Sequence, residues 1–267
     1  MGLYQNRIVV KVGTSTLTNE MGKSDLRAFD RLACVLADIQ NMGYEVILVS
    51  SGAIAVGANK LNMKARPTSM RLKQAAAAVG QCSIMFLYDK FFGDYDKTIA
   101  QILLNAEDIE HEEKKENLTN TFDALLEMGI IPVVNENDSV SYTEIESEDR
   151  LFGDNDMLSA VVAVLCRARR LVILSDIDGF YDSDPRLHPS AKLIQRIEMI
   201  DESVYSLAGG AGSRRGTGGM RTKLQAAALA AAQGIDTVIT NGKSPQALYD
   251  LLAGKRVGTM FVGKDRT

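Results

Sequence analysis

The sequence predicts an α/β fold in which helices cover both faces of a doubly wound parallel sheet. Short runs rich in Val, Ile and Leu recur without polar–apolar alternation, as expected of strands that are buried on both sides. Helical patterns separate these runs, and this alternation is typical of doubly wound folds. With 267 residues, the chain is long enough to bury a substantial core.

The predicted elements alternate along the chain. Strands are predicted at residues 8–12, 46–49, 98–104, 130–134, 171–174 and 237–240, with a last strand-like run at 259–262. Helices are predicted at 24–42, 69–79, 115–128, 156–167, 220–233 and 245–252. Ser24 is placed to cap the first of these helices, and Gly43 is placed to end it. The polar segment 139–153 is predicted to form an excursion or a hairpin at the sheet edge.

Composition restricts the classes of function. The formal net charge of −4 offers no broad basic face for nucleic acid, so a small soluble ligand is favoured. The chain has three cysteines, Cys34, Cys82 and Cys166, which form no CxxC pair and are predicted to be buried, reduced thiols of a cytosolic protein. We find neither a signal peptide nor an apolar run long enough to cross a bilayer, and we expect a cytoplasmic protein without membrane contact.

Polar clusters follow the predicted strands, where ligands of doubly wound sheets gather. They read KVGTS at 11–15, SSGA at 50–53, NEND at 135–138, GDND at 153–156 and SDIDG at 175–179. Each cluster alone could be a helix cap or a turn. Five of them at strand or helix ends predict a shared binding site.

A glycine-rich segment, GSRRGTGGMRTK at 212–223, directly precedes an alanine-rich helical run. Glycine allows close approach of the backbone, and the first turn of a helix offers unpaired N–H groups to an anion, although such segments can also be hinges or surface turns. Lys223 adds a full positive charge, as Lys11 does after the first strand. The pair suits phosphoryl transfer from ATP, in which catalysis consists mostly of positioning and charge neutralisation.

A carboxylate acceptor would make such a pair necessary. Two anions about 4 Å apart repel each other by about 4 kcal/mol at an effective dielectric near 20. Mg²⁺ on the ATP phosphates would supply further neutralisation. No GxGxxG follows the first strand, which argues against a nicotinamide dehydrogenase. His111 and His188 lie in predicted polar loops without a nucleophile motif, which argues against a histidine-based hydrolase.

Six segments together resemble the motif set of the glutamate 5-kinases, in order and over essentially the whole chain. They read VKVGTS at 10–15, VSSGAI at 49–54, VNEND at 134–138, FGDND at 152–156, DIDGFY at 176–181 with DPR at 184–186, and GTGGMRTK at 216–223. The resemblance places the chain in the amino acid kinase family. It implies a three-layer αβα sandwich with a mainly parallel central sheet, and ATP-dependent phosphorylation of the γ-carboxylate of L-glutamate to L-glutamyl 5-phosphate, the first step of proline biosynthesis.

The same resemblance implies roles for individual residues. Lys11 and Lys223 would hold the phosphates and the transition state, while Asp156 would orient both lysines. The implied substrate-binding residues are Ser51, Gly52, Ala53, Asp138 and Asn155. The implied nucleotide-binding residues are Lys11, Ser175, Asp176, Thr217, Gly218, Gly219, Met220, Arg221, Thr222 and Lys223. Mg²⁺ is expected to enter with ATP, and no protein residue is assigned to a metal.

We expect one amino acid kinase domain over residues 1–267, with a substrate-binding part at roughly 1–168 and a nucleotide-binding part at roughly 169–267. The PUA domain that many family members carry is expected to be absent. Feedback inhibition by proline and a homo-oligomer are expected from the family. Three alternatives stay open: a kinase for N-acetylglutamate or aspartate, a non-catalytic sensor, and the dehydrogenase. The acidic Asp138 favours a substrate with a free ammonium group.

Overall fold

The computed structural model describes residues 2–19, 22–140, 155–208 and 219–264. Its strands are β1 (Tyr4–Val12), β2 (Glu45–Ser50), β3 (Ile99–Leu104), β4 (Ile131–Glu136), β5 (Ala168–Ser175), β6 (Phe180–Tyr181), β7 (Leu193–Ile194), β8 (Arg196–Ile197), β9 (Asp236–Asn241) and β10 (Thr259–Phe261). An eight-stranded sheet has the order β3-β4-β2-β1-β5-β9-β10-β8, and β6 pairs with β7 in a small second sheet. Within the eight-stranded sheet only β9 and β10 pair antiparallel, so the predicted mainly parallel sheet is confirmed.

Helices cover both faces of this sheet. They are α1 (Thr14–Leu17), α2 (Leu26–Asn41), α3 (Ala53–Lys60), α4 (Met70–Gly93), α5 (Glu107–Glu110), α6 (Glu112–Glu127), α7 (Asn155–Leu165), α8 (Glu202–Ala208), α9 (Met220–Ala232) and α10 (Ala247–Leu252). One buried apolar cluster joins one sheet face to α6, α7 and α9, and a second joins the other face to α2, α4 and α10. The fold is therefore the expected three-layer αβα sandwich. Each described helix is too short or too polar to cross a bilayer.

The central strand β1 decides which side chains reach which helical layer. Val9 belongs to the cluster under α7 and α9, whereas Val10 and Val12 belong to the cluster under α2 and α4. Side chains alternate along a strand, so Lys11 points to the same face as Val9. Lys11 thus lies at the carboxyl end of β1, on the face that carries α7 and α9.

Several predicted details were wrong. The first long helix is capped by Asp25 rather than Ser24, because the Asp25 carboxylate accepts from the N–H groups of Arg27 and Ala28. The helix predicted at 69–79 extends to Gly93 as α4. The short elements α1, α5, α8 and β6 to β8 were not predicted, since so few residues show no periodicity.

The prediction that all three cysteines are buried was wrong for two of them. Cys166 is buried as predicted, but Cys82 is exposed and Cys34 is only partly buried. Most of the predicted excursion at 139–153 lies outside the described residues.

Candidate functional site

Three charged side chains from three separate elements meet at the carboxyl ends of the strands. The Nζ of Lys11 lies 2.7 Å from Oδ1 of Asp156, and the Nζ of Lys223 lies 3.0 Å from Oδ2 of the same carboxylate. The Asp156 side chain has no exposed surface, and both lysine side chains are more than nine-tenths buried. A single buried carboxylate therefore holds two ammonium groups on its two oxygens.

Local structure explains how each partner arrives there. Lys11 is the next-to-last residue of β1, and the last six residues of this strand are all buried. Asp156 lies in the first turn of α7, and Lys223 lies in the first turn of α9. These two helices pack on the same sheet face. Thr222 adds a hydroxyl within hydrogen-bonding distance of Asp156 Oδ2, at 3.1 Å.

The electrostatics of this cluster favour the ionised carboxylate. Burial by itself would raise the pKa of Asp156, but the charges and hydrogen bonds of Lys11 and Lys223 hold that pKa below its usual value. These three groups, two cations and one anion, together carry one net positive charge in a buried site. Such a site is suited to bind a further anion.

A network of amides and hydroxyls lies beside the lysine pair. The Nδ2 of Asn155 lies 2.9 Å from each of three acceptors: the carbonyl of Ser50, the hydroxyl of Ser51 and the Oδ1 of Asn135. Asn155 and Asp156 are adjacent in α7, so the network and the lysine pair are joined by one helical turn. The sequence prediction included Ser51 and Asn155 and missed Asn135.

The turn after β2 has a backbone that requires glycine. Gly52 has a φ of +104° at the N-cap of α3, which begins at Ala53. The N–H of Ser51 donates to the carbonyl of Val12, which ties this turn to the end of β1. The predicted substrate residues 51–53 therefore lie next to the strand that carries Lys11.

Asp138 follows β4 on the same edge of the sheet. It is partly buried, and burial raises the pKa of its carboxyl to about 6. Its carboxylate is therefore weakly stabilised when no cation is present. A ligand ammonium would supply the missing positive charge.

The predicted nucleotide residues are only partly described. Ser175 is buried at the end of β5, and its hydroxyl contacts the half-exposed Asp176 carboxylate at 3.2 Å. Gly219 is the N-cap of α9, and Met220, Arg221, Thr222 and Lys223 form its first turn, which has no acidic residue. Thr217 and Gly218 lie outside the described residues.

Sequence reasoning missed several members of this region. Asn135 was part of the NEND cluster but was given no role. Gln81 and Tyr88 lie in the part of α4 that was not predicted as helix, and they contact Asn135 and Ser50 respectively. Asn241, at the end of β9, donates to Asp178 at 2.7 Å. These partners come from segments that are distant in sequence, so no local pattern identifies them.

The described side chains do not form a metal cage. Among them, no three His, Cys, Asp or Glu side chains are grouped closely enough to hold an ion. The most buried carboxylate, Asp156, already faces two lysines. The described side chains therefore do not fit a resident metal ion.

Comparison with known proteins gives a consistent result. A sequence profile of the amino acid kinase family matches residues 6–241. The chain is 55% identical over 258 residues to a glutamate 5-kinase from Clostridium perfringens, covering 97% of this chain and 96% of that protein. It is 49% identical over 256 residues to a glutamate 5-kinase from Enterococcus faecalis, covering 96% and 94%.

Solved structures with the same fold are more distant in sequence. The carbamate kinase from Giardia lamblia bound to AMP-PNP superposes with a TM-score of 0.68 at 15% identity, covering 97% of this chain and 98% of that one. The UMP kinase from Bacillus anthracis gives a TM-score of 0.65 at 14% identity, with 97% of each chain covered. These two similarities support the fold alone.

Proposed function

Because this chain belongs to the amino acid kinase family, we propose that it transfers the γ-phosphoryl group of ATP to the γ-carboxylate of L-glutamate. The products are ADP and L-glutamyl 5-phosphate, which is the first intermediate of proline biosynthesis. The main support from comparison is identity of about half the residues with glutamate 5-kinases over nearly their whole length.

The structural observation that carries the proposal is the lysine pair on Asp156. In the reaction, a γ-carboxylate oxygen of glutamate forms a bond to the γ-phosphorus of ATP. The bond from that phosphorus to the bridging oxygen breaks, and ADP leaves with the electron pair. Because the attacking carboxylate is already ionised, no base is required, and neutralising the phosphates is the main task. Lys11 and Lys223 supply the positive charges that neutralise the phosphates.

The network around Asn155 is the proposed glutamate end of the site. Ser51 and the turn at Gly52 and Ala53 offer donors to a carboxylate. Asp138 pairs with the α-ammonium, and this pairing favours glutamate over N-acetylglutamate, whose nitrogen carries no charge.

The proposed nucleotide end comprises Ser175, Asp176 and the segment 217–223. The N-terminus of α9, with the positive end of its helix dipole at Gly219 and Met220, suits an ATP phosphate. The co-substrate is MgATP, so the metal ion enters with the nucleotide. In this scheme residues 1–168 mainly hold glutamate and residues 169–267 mainly hold ATP.

Three further features belong to the proposal. Proline keeps the α-carboxylate and a protonated amine of glutamate, so a site that binds these groups can also bind proline as an inhibitor. We further propose a homo-oligomer, as expected from the family. The cytoplasm supplies the ATP that the reaction consumes, and we place the enzyme there.

A trapping assay tests the proposed reaction. The purified chain is incubated with MgATP, hydroxylamine and L-glutamate, N-acetyl-L-glutamate or L-aspartate, while hydroxamate and ADP are measured. We expect equal amounts of hydroxamate and ADP with glutamate, and little of either with the other two acids. Turnover of N-acetylglutamate without turnover of glutamate would contradict the proposal.

A further inference from the structure

Helix α4 reaches the glutamate end of the candidate site through two polar side chains. Gln81 Oε1 accepts a hydrogen bond from Asn135 Nδ2 at 3.0 Å. Seven residues later, and so on the same side of the helix, the hydroxyl of Tyr88 lies 2.9 Å from that of Ser50. Ser50 is the last residue of β2, and Asn135 is the next-to-last residue of the neighbouring strand β4. Helix α4 therefore contacts the polar network around Asn155 through two side chains.

The contact from Gln81 sets the direction of the next hydrogen bond. An asparagine side chain has one acceptor oxygen and one donor nitrogen. Asn135 is almost fully buried and gives its nitrogen to Gln81. Its oxygen is consequently the atom that faces Asn155, and it accepts from Asn155 Nδ2 at 2.9 Å.

The orientation of the Asn135 amide in turn sets the orientation of Asn155 and Ser51, which belong to the proposed glutamate end of the site. Asn155 Nδ2 also lies 2.9 Å from the carbonyl of Ser50 and from the hydroxyl of Ser51. Because the Asn155 nitrogen faces these acceptors, Oδ1, which is bonded to the same carbon, points away from them within the amide plane. Ser51, when it accepts from Asn155, keeps its own hydrogen for another acceptor.

We propose that Gln81 is a positioning residue for the amino acid substrate, acting through Asn135 to orient the Asn155 amide and the Ser51 hydroxyl. This inference rests on the proposed function. The result is a defined pair of groups: the Ser51 hydroxyl as donor to a carboxylate, and Asn155 Oδ1 as acceptor from an ammonium. A zwitterionic amino acid needs one of each.

The close packing of α4 against α3 supports this relay of hydrogen bonds from Gln81 through Asn135 to Asn155 and Ser51. Gly80, directly before Gln81, lies against the carbonyl of Ala53, and Gly57 of α3 lies against the carbonyl of Ala76. A side chain at either glycine would collide with backbone, so α3 and α4 pack closely, backbone against backbone. Because α3 begins at the turn after Ser51, the helix that carries Gln81 and the turn that carries Ser51 are held against each other.

Gln81→Met tests the proposal, since methionine has a similar size and cannot accept this hydrogen bond. We expect the KM for glutamate to rise about tenfold, which corresponds to about 1.4 kcal/mol, while the KM for ATP changes less than about twofold. Gln81→Glu keeps an acceptor for Asn135 and should recover part of this loss. Gln40→Met on α2 is the matched control, because it removes a single hydrogen bond, to the carbonyl of Gly129, far from the site.

A double-mutant cycle separates positioning from general loss of stability. In an Asn155→Ala background the relay has lost its end point, so adding Gln81→Met should change the KM for glutamate less than about twofold. Equal tenfold effects in both backgrounds would overturn the inference, as would an unchanged KM in Gln81→Met alone. Absence of glutamate phosphorylation in the unmutated chain would instead count against the proposed function.

Discussion

Asp156 is a fully buried carboxylate whose two oxygens each face one ammonium group. Burying three charges is costly, and the arrangement persists because the ions pair with one another. The depressed pKa of Asp156 means that its favourable contribution is present at neutral pH. That contribution is lost as the pH falls through the depressed pKa. Without the carboxylate, Lys11 and Lys223 would repel each other.

We expect Asp156→Asn to lower kcat at least a hundredfold, because the two lysines lose the group that positions them. Removing one partner of a buried ion pair should also lower the free energy of unfolding by about 3 kcal/mol or more. Steady-state kinetics and urea unfolding measure both effects. Asp236→Asn is the matched control: this buried aspartate pairs with Arg169 at 2.9 Å, at the opposite end of the sheet.

The control should lose stability and keep its kcat. If both variants lose the same fraction of kcat, the effect of Asp156 is one of folding and not of the reaction.

Asp138 gives the site a pH dependence. Burial raises its pKa to about 6, so below that pH the free protein carries a neutral carboxyl group that cannot pair with an ammonium. We expect kcat/KM for glutamate to fall as the pH is lowered from 7 to 5, by about tenfold per unit well below the pKa. Asp138→Asn should have a low kcat/KM without this acidic limb. An identical acidic limb in the variant would assign the titration to another group.

Helices α3 and α4 illustrate why single elements were hard to predict. Gly80 looks like a stop signal inside an apolar run, and the prediction ended the helix at residue 79. In the structure the helix continues through Gly80. The absence of a side chain there lets α4 pack against the backbone of Ala53 in α3. The same residue type ends a helix at Gly43, where φ is +90°. Local sequence does not distinguish these two uses of glycine.

We expect Gly57→Ala to destabilise the fold by about 1 to 3 kcal/mol or more, because the added methyl group would overlap the backbone of Ala76. Gly93→Ala, in the last turn of α4, meets no atom within 4 Å and should be neutral or slightly stabilising. Urea denaturation of the two variants measures the difference. Equal stabilities would show that α3 and α4 can move apart without cost.

The central sheet connects the two parts that the sequence prediction separates at residue 168. β1 pairs with β2 on one side and with β5 on the other, in parallel register from Ile8 to Val12 on both sides. Lys11 thus comes from the strand shared by both parts. The domain boundary stays a prediction about which ligand each part binds, and it does not separate two cores.

We therefore expect the chain to unfold in one cooperative transition. Splitting it at residue 168 would expose the buried edges of β1 and β5 and the apolar side chains beside them. Far-ultraviolet circular dichroism and tyrosine fluorescence, usable because the chain has eight Tyr and no Trp, should give the same urea midpoint. Two separated midpoints would show that the parts unfold independently.

The sequence alone determined the order of strands and long helices along the chain and the mainly parallel sheet, and it named the residues of the candidate site, whose roles stay a prediction. Buried strands and amphipathic helices follow from local composition and periodicity. Each of the motifs that contain Lys11, Asn155 with Asp156, and Lys223 is one contiguous segment of the sequence. The resemblance of these motifs to the glutamate 5-kinases then gave the predicted role of each residue.

Only the tertiary structure decided which of these residues touch. Lys11 and Lys223 are 212 positions apart and meet because β1 and α9 both pack against α7. The roles of Asn135 and Gln81 arise in the same way, from strand register and from the close crossing of α3 and α4. Contacts of this kind depend on side-chain packing between distant segments, and no local pattern encodes them.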